Sequence, residues 1–425
     1  MEIYKRGTRI RTAHHGLCRW LRGTSACRSA RIAIGGVAVT ALDETKHFKL
    51  VGTTGTGKST AIAQLLRGAL ERGDRAIIAD PDGGYLSRFL LRDRGDTILN
   101  PFEPDSLKWD LFAEVHSSYD VDQLASGLIA TSDDPSGQEW RGYARTFLAA
   151  VIRRCHIRGR HDVAELWRLL TVASARELRS VVSGTPAQPF LEAENARMFG
   201  SIRSVASSAA AALEFVQAQR APLFSIRRWV ERGRGVLFLP YQAQQIPALR
   251  SIIATWMRLA IFEAMSRPEE DQRLWFVVDE LDALGAIDGL KDALARLRKF
   301  GGRCVLGFQS IAQVATTYGS GAAQTIVENC GNTLILRCSG SDTGGTAHFA
   351  SRLIGEREIV RTQRSRGRDR EGLLGMRGRR HSTNISEQRV TELAVLAAEL
   401  EQLPDLTGYL KLASARAWER VALSR

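Results

Sequence analysis

Residues 51–60, "VGTTGTGKST", constrain this chain more than any other stretch, because few ligands need a backbone so bare of side chains. The run follows the apolar segment His47-Phe48-Lys49-Leu50-Val51 and matches the Walker A pattern in full, as Gly52-x-x-x-x-Gly57-Lys58-Ser59. It lies between a predicted strand (47–52) and a predicted helix (59–71). Glycines let successive N–H groups turn inward around a di- or triphosphate, and the helix N-terminus adds partial positive charge. The predicted ATP-binding residues are therefore Gly52, Thr53, Thr54, Gly55, Thr56, Gly57, Lys58, Ser59 and Thr60. Lys58 would reach the β- and γ-phosphates, and the Ser59 hydroxyl would bind Mg2+.

Hydrolysis needs more than a phosphate cradle. Leu274-Trp275-Phe276-Val277-Val278-Asp279-Glu280 supplies a Walker B, an apolar strand delivering two carboxylates at its C-terminal end. Asp279 would hold Mg2+ through water, and Glu280 would polarise the attacking water. Gln309 closes the next predicted strand, thirty residues beyond Asp279. In a parallel sheet both would emerge at one edge, where an amide can sense the γ-phosphate; a surface polar residue at a strand end is the other reading. The helix between them buries Leu290, Leu294 and Leu297 and sets Arg296, Arg298 and Lys299 beside or opposite that face. One of these could reach a neighbouring subunit's nucleotide, or all could form a solvated basic face.

Around these motifs, apolar runs alternate with helical patterns. Strands are predicted at 47–52, 75–80, 97–99, 235–239, 274–279, 303–308 and 333–337, with 408–413 and 418–423 closing an edge. Continuous apolar strands separated by helices indicate an α/β fold with a mostly parallel sheet covered on both faces. Residues 113–221 hold no strand pattern and read as an all-helical insertion, with the "SDDPSGQ" stretch at 132–138 as a surface loop. The expected organisation is a basic N-terminal segment (1–34), a nucleotide-binding domain in two parts (35–112 and 222–425), and the insertion between them.

No apolar run approaches the roughly 20 residues of a membrane helix, and no signal peptide is visible. The six cysteines lack metal-ligand spacing, and Cys304, Cys330 and Cys338, in or beside apolar runs, read as buried small hydrophobes in a reducing compartment. The formal charge of +13 is concentrated, with net +7 in residues 1–31 and net +6 in residues 361–380. The second lies in a predicted basic loop, 361–385. Such segments suit nucleic acid or an anionic membrane face, and solvated loops have the same composition.

Taken in order, "GTTGTGKST", "AIIADPDGGY", "ILNPFEPDSLKWDLF", "FVVDELDALGAIDGL", "RKFGGRCVLGFQSIAQV" and "ENCGNTLILRCSGSDTGGTA" resemble the cytoplasmic part of type IV secretion coupling proteins, the TraD family. These are RecA-like P-loop motor ATPases akin to FtsK and HerA. The likeness runs from about Gly35 to the C-terminus. It implies a hexameric ring at the inner membrane that delivers relaxase-bound DNA to the secretion channel, with 113–221 as the family's all-alpha domain. Lys58, Ser59, Asp279, Glu280 and Gln309 fall on the family's nucleotide-site positions. Arg298, in "RKFGG", falls on its proposed arginine finger, with Arg337 the second choice.

Members usually begin with two membrane helices, and this chain has none. A truncated start and a naturally soluble form, held at the membrane by partners or by residues 1–31, are the two readings. The leading functional expectation is a DNA-translocating, Mg2+-dependent ATPase of conjugation. Another HerA/FtsK-type translocase and a nucleotide-switched recruitment adaptor are the rivals. Glu280 argues against the adaptor, because a pure switch needs no water-activating carboxylate.

Overall fold

The computed structural model describes residues 2–12, 32–130, 135–267, 273–341, 344–369 and 380–424. Its centre is a ten-stranded sheet. In spatial order the strands are Ile10–Thr12, Trp418–Ala422, Thr407–Lys411, Asn332–Ile335, Phe48–Val51, Gly302–Phe308, Leu274–Val278, Arg75–Pro81, Val236–Tyr241 and Thr97–Ile98. From Asn332–Ile335 to Thr97–Ile98 every pairing is parallel. Thr407–Lys411 and Trp418–Ala422, where the sequence predicts strands, then run antiparallel.

The central strands are apolar throughout because both faces are covered, and their side chains alternate between two cores. Phe48, Leu50, Ala76, Ile78, Trp275, Val277 and Val305 face one core. There the helix Lys58–Glu71 lays down Ala61, Ile62, Leu65, Leu66 and Ala69. Truncating a residue such as Ile62, which is fully buried, would cost about 2–5 kcal/mol. Val51, Ile77, Ala79, Phe276, Val278, Leu306 and Phe308 face the other core, which continues into the helices.

Those helices include Ser118–Leu128, Pro135–Ile157, Val163–Thr171, Ala175–Val182, Ala196–Ala209 and Ala211–Ala218, and 113–221 contains no strand among the described residues. At the neck of this segment, Lys108–Trp109 pairs with Leu223–Phe224. Glu114 is buried beside that pairing and accepts hydrogen bonds from Ile226 N, Arg227 N, Ser225 Oγ and Trp109 Nε1. Burial pushes its carboxyl up to about 6. Part of the expected 132–138 surface loop is helical, since Pro135 opens the helix Pro135–Ile157. Proline suits a first helical turn, where its missing N–H has no partner to lose. Residues 132–134 lie outside the described residues.

Both basic segments depart from the sequence reading. Glu2–Gly7 is a strand that pairs with Arg357–Arg361, and Ile10–Thr12 joins the edge of the central sheet. The expected loop over 361–385 is instead strand at 361–369 and 380–385, within a ribbon formed by Glu356–Asp369 and Arg380–Leu393. Strand pairing is made by the backbone, so a stretch rich in arginine and serine can form it without apolar alternation. Residues 13–31, with Cys18 and Cys27, and residues 370–379 lie outside the described residues. Cys304, Cys330 and Cys338 are free and buried, as expected, and so is Cys155. Among the described residues, no helix is long and apolar enough to cross a membrane.

Candidate functional site: a nucleotide edge on the central sheet

Phe48–Val51, Arg75–Pro81, Leu274–Val278 and Gly302–Phe308 end at the same edge of the sheet. Their register brings the residues that follow them side by side. The glycine loop rises from the first of these strands. A Cβ at Gly52 would lie 2.9 Å from Leu336 Cβ and from Thr56 Oγ1, so no larger residue fits. Gly57 has φ +117°, which side chains rarely adopt, and opens the helix Lys58–Glu71. Thr56 is buried and donates its hydroxyl to Thr53 O at 2.7 Å. Thr53 N donates to Arg337 O at 2.9 Å, and Leu406 N to Thr56 O at 2.9 Å. Thr53 and Thr56 thus brace the loop, while Thr54 and Gly55 form its exposed crown and Thr60 is half-buried in the first helical turn.

Lys58 Nζ lies across the loop, donating to Gly52 O at 2.6 Å and to Thr53 O at 3.2 Å. Burial lowers its proton affinity, and the nearby Asp279 and Glu280 carboxylates oppose that shift. Ser59 Oγ donates to Asp279 Oδ2 at 2.6 Å, joining the two motifs. Asp279 is buried, and its Oδ1 has no protein partner among the described residues. A hydroxyl and a carboxylate oxygen at one strand edge, with a buried lone pair still to satisfy, fit a hydrated magnesium ion. A Cβ at Gly307 would lie 2.2 Å from Asp279 O and 3.1 Å from its Oδ1, so a bare strand is needed to pass this close.

Gln309 Nε2 donates to Glu280 Oε1 at 3.0 Å, so sequence-predicted residues from two strand ends meet directly. Burial raises the proton affinity of Glu280. The Gln309 hydrogen bond and Lys58 lower it, while Asp279 and Asp282 raise it further.

The two arginines named from the sequence lie in different places. Arg298 is exposed in the turn Arg298–Phe300, just before Gly302–Phe308 begins. It sits at the opposite edge of the sheet from its own glycine loop, about 20 Å away for a seven-residue strand. Arg337 is beside its own loop, with its carbonyl on Thr53 and its guanidinium paired to Asp405 at 2.7 Å.

Three residues at this edge are absent from the sequence reading. Asp80 ends the strand next to Asp279; it is fully buried and accepts from Tyr85 N at 3.0 Å and Leu86 N at 2.7 Å. Its carboxyl is pushed up to about 6, chiefly by burial. Tyr85 OH donates to Asp279 Oδ2 at 2.8 Å. Tyr241 stands nearby, its buried hydroxyl without a protein partner among the described residues. The signal for Asp80 was present in "AIIADPDGGY", a third apolar strand with an aspartate at its end.

A mostly parallel sheet carrying a Walker A loop, with Walker B carboxylates two strands away, defines a RecA-like P-loop nucleotide-binding fold. The chain belongs to a specific branch of it, the type IV secretion-system coupling protein DNA-binding domain family, whose model matches residues 31–424. It is 30% identical over 399 residues to coupling protein TraD of Escherichia coli (strain K12), spanning 91% of this chain and 53% of that protein. Bacterial conjugative coupling protein TrwBdeltaN70, in an unbound form, matches with a TM-score of 0.85 and 32% identity over 99% of this chain and 93% of that one. Plasmid coupling protein TrwB in complex with the ATP analogue ADPNP, or with ADP and Mg2+, matches with a TM-score of 0.83 and 31% identity over 99% of this chain and 94% of that one.

Proposed function

We propose that this chain is an ATP-hydrolysing, DNA-binding motor that couples relaxase-bound DNA to a type IV secretion channel in conjugative transfer. It works as a hexamer at the cytoplasmic face of the inner membrane, with 113–221 as a separate helical unit. The observation that carries the reading is the joined Walker pair, Ser59 on Asp279, beside a Glu280 held by Gln309. The family match and the relatives' nucleotide complexes support it.

ATP lies in the glycine loop with Lys58 on its phosphates, and Ser59 and Asp279 hold Mg2+. The ion, when bound, neutralises charge developing on the phosphates. Glu280 orients the attacking water and takes its proton, because in-line attack needs an oriented nucleophile. Gln309 releases Glu280 when the γ-phosphate arrives and re-engages it when that phosphate leaves. Arg298 reaches the nucleotide of a neighbouring subunit, and its position far from its own loop supports that role. DNA is gripped through its phosphates without regard to sequence.

ATP turnover measured against protein concentration, with and without DNA, tests the proposal. Activity should rise more than linearly with protein concentration and rise again with DNA. Turnover per chain that ignores both would refute the ring motor.

A further inference from the structure

Asp279 is held by two donors on one oxygen. Ser59 Oγ lies 2.6 Å and Tyr85 OH 2.8 Å from Oδ2, while Oδ1 is left without a protein partner among the described residues. Two short charge-assisted hydrogen bonds on one oxygen fix the plane of a carboxylate. They also decide which oxygen faces the nucleotide. Ser59 cannot do this independently, because its own oxygen is a candidate metal ligand and its orientation follows the ion.

Tyr85 is anchored from the opposite side. Its ring is 4% exposed and belongs to the core under the helix Lys58–Glu71. Its backbone N–H is held by Asp80 Oδ1, and the next N–H by Asp80 Oδ2. Asp80 follows Ala79, which pairs in register with Val278, so Asp80 and Asp279 leave neighbouring strands at the same level. Asp80 therefore fixes the start of the helix Gly84–Phe89, and the phenol spans from there to Asp279. Phenylalanine would keep the packing and lose the donor.

We propose that Tyr85 is a positioning residue for Mg2+: its hydroxyl locks Asp279 so that Oδ1 is presented to the water shell of the ion. The inference rests on the nucleotide-site reading above. Hydrogen-bonding partners behind metal ligands commonly contribute about 10–100-fold to metal affinity, and one of two donors on Asp279 should lie near the lower end, about tenfold.

The test is equilibrium binding of a fluorescent ADP to the full chain, first in EDTA and then across a Mg2+ titration. Tyr85→Phe should leave Mg2+-free ADP affinity unchanged and lower the melting temperature by no more than the loss of one hydrogen bond explains. The Mg2+ concentration that gives half the affinity gain should rise about tenfold. A second variant, 3-fluorotyrosine at position 85, has a more acidic phenol and a stronger hydrogen bond, so its midpoint should move the other way. A midpoint unmoved in Tyr85→Phe overturns the inference, whatever the fluorinated variant does. So does a loss of Mg2+-free affinity and melting temperature together, which marks Tyr85 as packing only. If the unmodified chain gains no ADP affinity from Mg2+, the nucleotide-site reading itself fails and takes this inference with it. A Mg2+-dependent parent with an unaffected Tyr85→Phe variant sinks only the inference.

Discussion

The nucleotide edge and the basic ribbon handle charge in opposite ways. At the edge, Lys58, Asp80 and Asp279 are all at least 94% buried, and each is engaged by named donors or acceptors within 3.2 Å. Along the ribbon, the ion pairs among the described residues lie at the base. There Arg6 meets Glu358, while Arg357 and Arg361 share Glu392. Beyond Arg361 the cross-strand register sets Arg364, Arg366 and Arg368 opposite Ile385, Thr383 and His381, with no carboxylate opposite these three. Burial makes an unpaired charge expensive, so the edge allows little surplus. The difference implies that substitutions at the edge act through individual contacts, whereas the ribbon acts through a sum.

The largest effects should come from Lys58 and Glu280, and they should differ in kind. Both Lys58→Ala and Glu280→Gln should abolish detectable turnover. Lysine loss should also weaken nucleotide binding, while glutamine keeps the shape at 280 and retains ATP. Equal turnover in Glu280→Gln and the parent would remove Glu280 from the chemistry.

Arg298 comes next. A finger supplied across a subunit boundary contributes on the order of 10³–10⁵ in rate, so Arg298→Ala should be nearly inactive yet bind ATP normally. Mixing it with Glu280→Gln protein should restore activity wherever an intact Glu280 meets an intact Arg298. Mixed assembly without rescue would break the assignment. Arg337, beside its own loop, would then be the arginine to test.

A smaller and graded effect is expected from pH. If Glu280 is the base, its charged form is the active one, and burial raises its proton affinity. Turnover should therefore fall on acidification at a pH above the usual glutamate value, and recover fully as pH rises. An acid limb at the ordinary carboxylate value would show that the carboxylate is hydrated during turnover.

The same contrast explains what the sequence revealed. Strands such as Leu274–Val278 were legible because burial on two faces demands continuous apolar residues, and the Walker residues because phosphate chemistry fixes their spacing. Tyr85 was not legible. Its role depends on a hydrogen bond to a residue 194 positions away, and a tyrosine after Gly-Gly has no motif value. The ribbon was hidden for another reason. Its sequence has loop composition, and its third strand, Glu2–Gly7, pairs with residues more than 340 positions away. The two basic segments that carry the net charge are joined there, as Glu2 opposite Arg361.

Replacing 364–384 with an Asn-Gly turn keeps the ribbon base and removes the surplus arginines. DNA affinity should then depend less steeply on salt, by roughly two to four phosphates, because a protein that neutralises fewer phosphates displaces fewer counterions. ATP binding should not change. An unaltered slope would make the ribbon a solvated arm and leave the DNA grip to other parts of the chain.

The smallest effect should come from Glu392, the acid shared by two arginines at the ribbon base. Both pairs are partly exposed, with Glu392 at 23% and its partners at 37% and 50%, so Glu392→Gln should cost only about 0–1 kcal/mol in stability. It should also remove the negative charge that two guanidinium groups share at the ribbon base. If the ribbon binds DNA by summed charge, the variant should bind slightly tighter, with a salt slope steeper by at most about two phosphates. Melting and salt-dependent binding measured on one preparation separate these effects. A loss of several kcal/mol with weaker DNA binding would show that the ribbon base is keyed like the nucleotide edge, and the comparison between the two regions would fail.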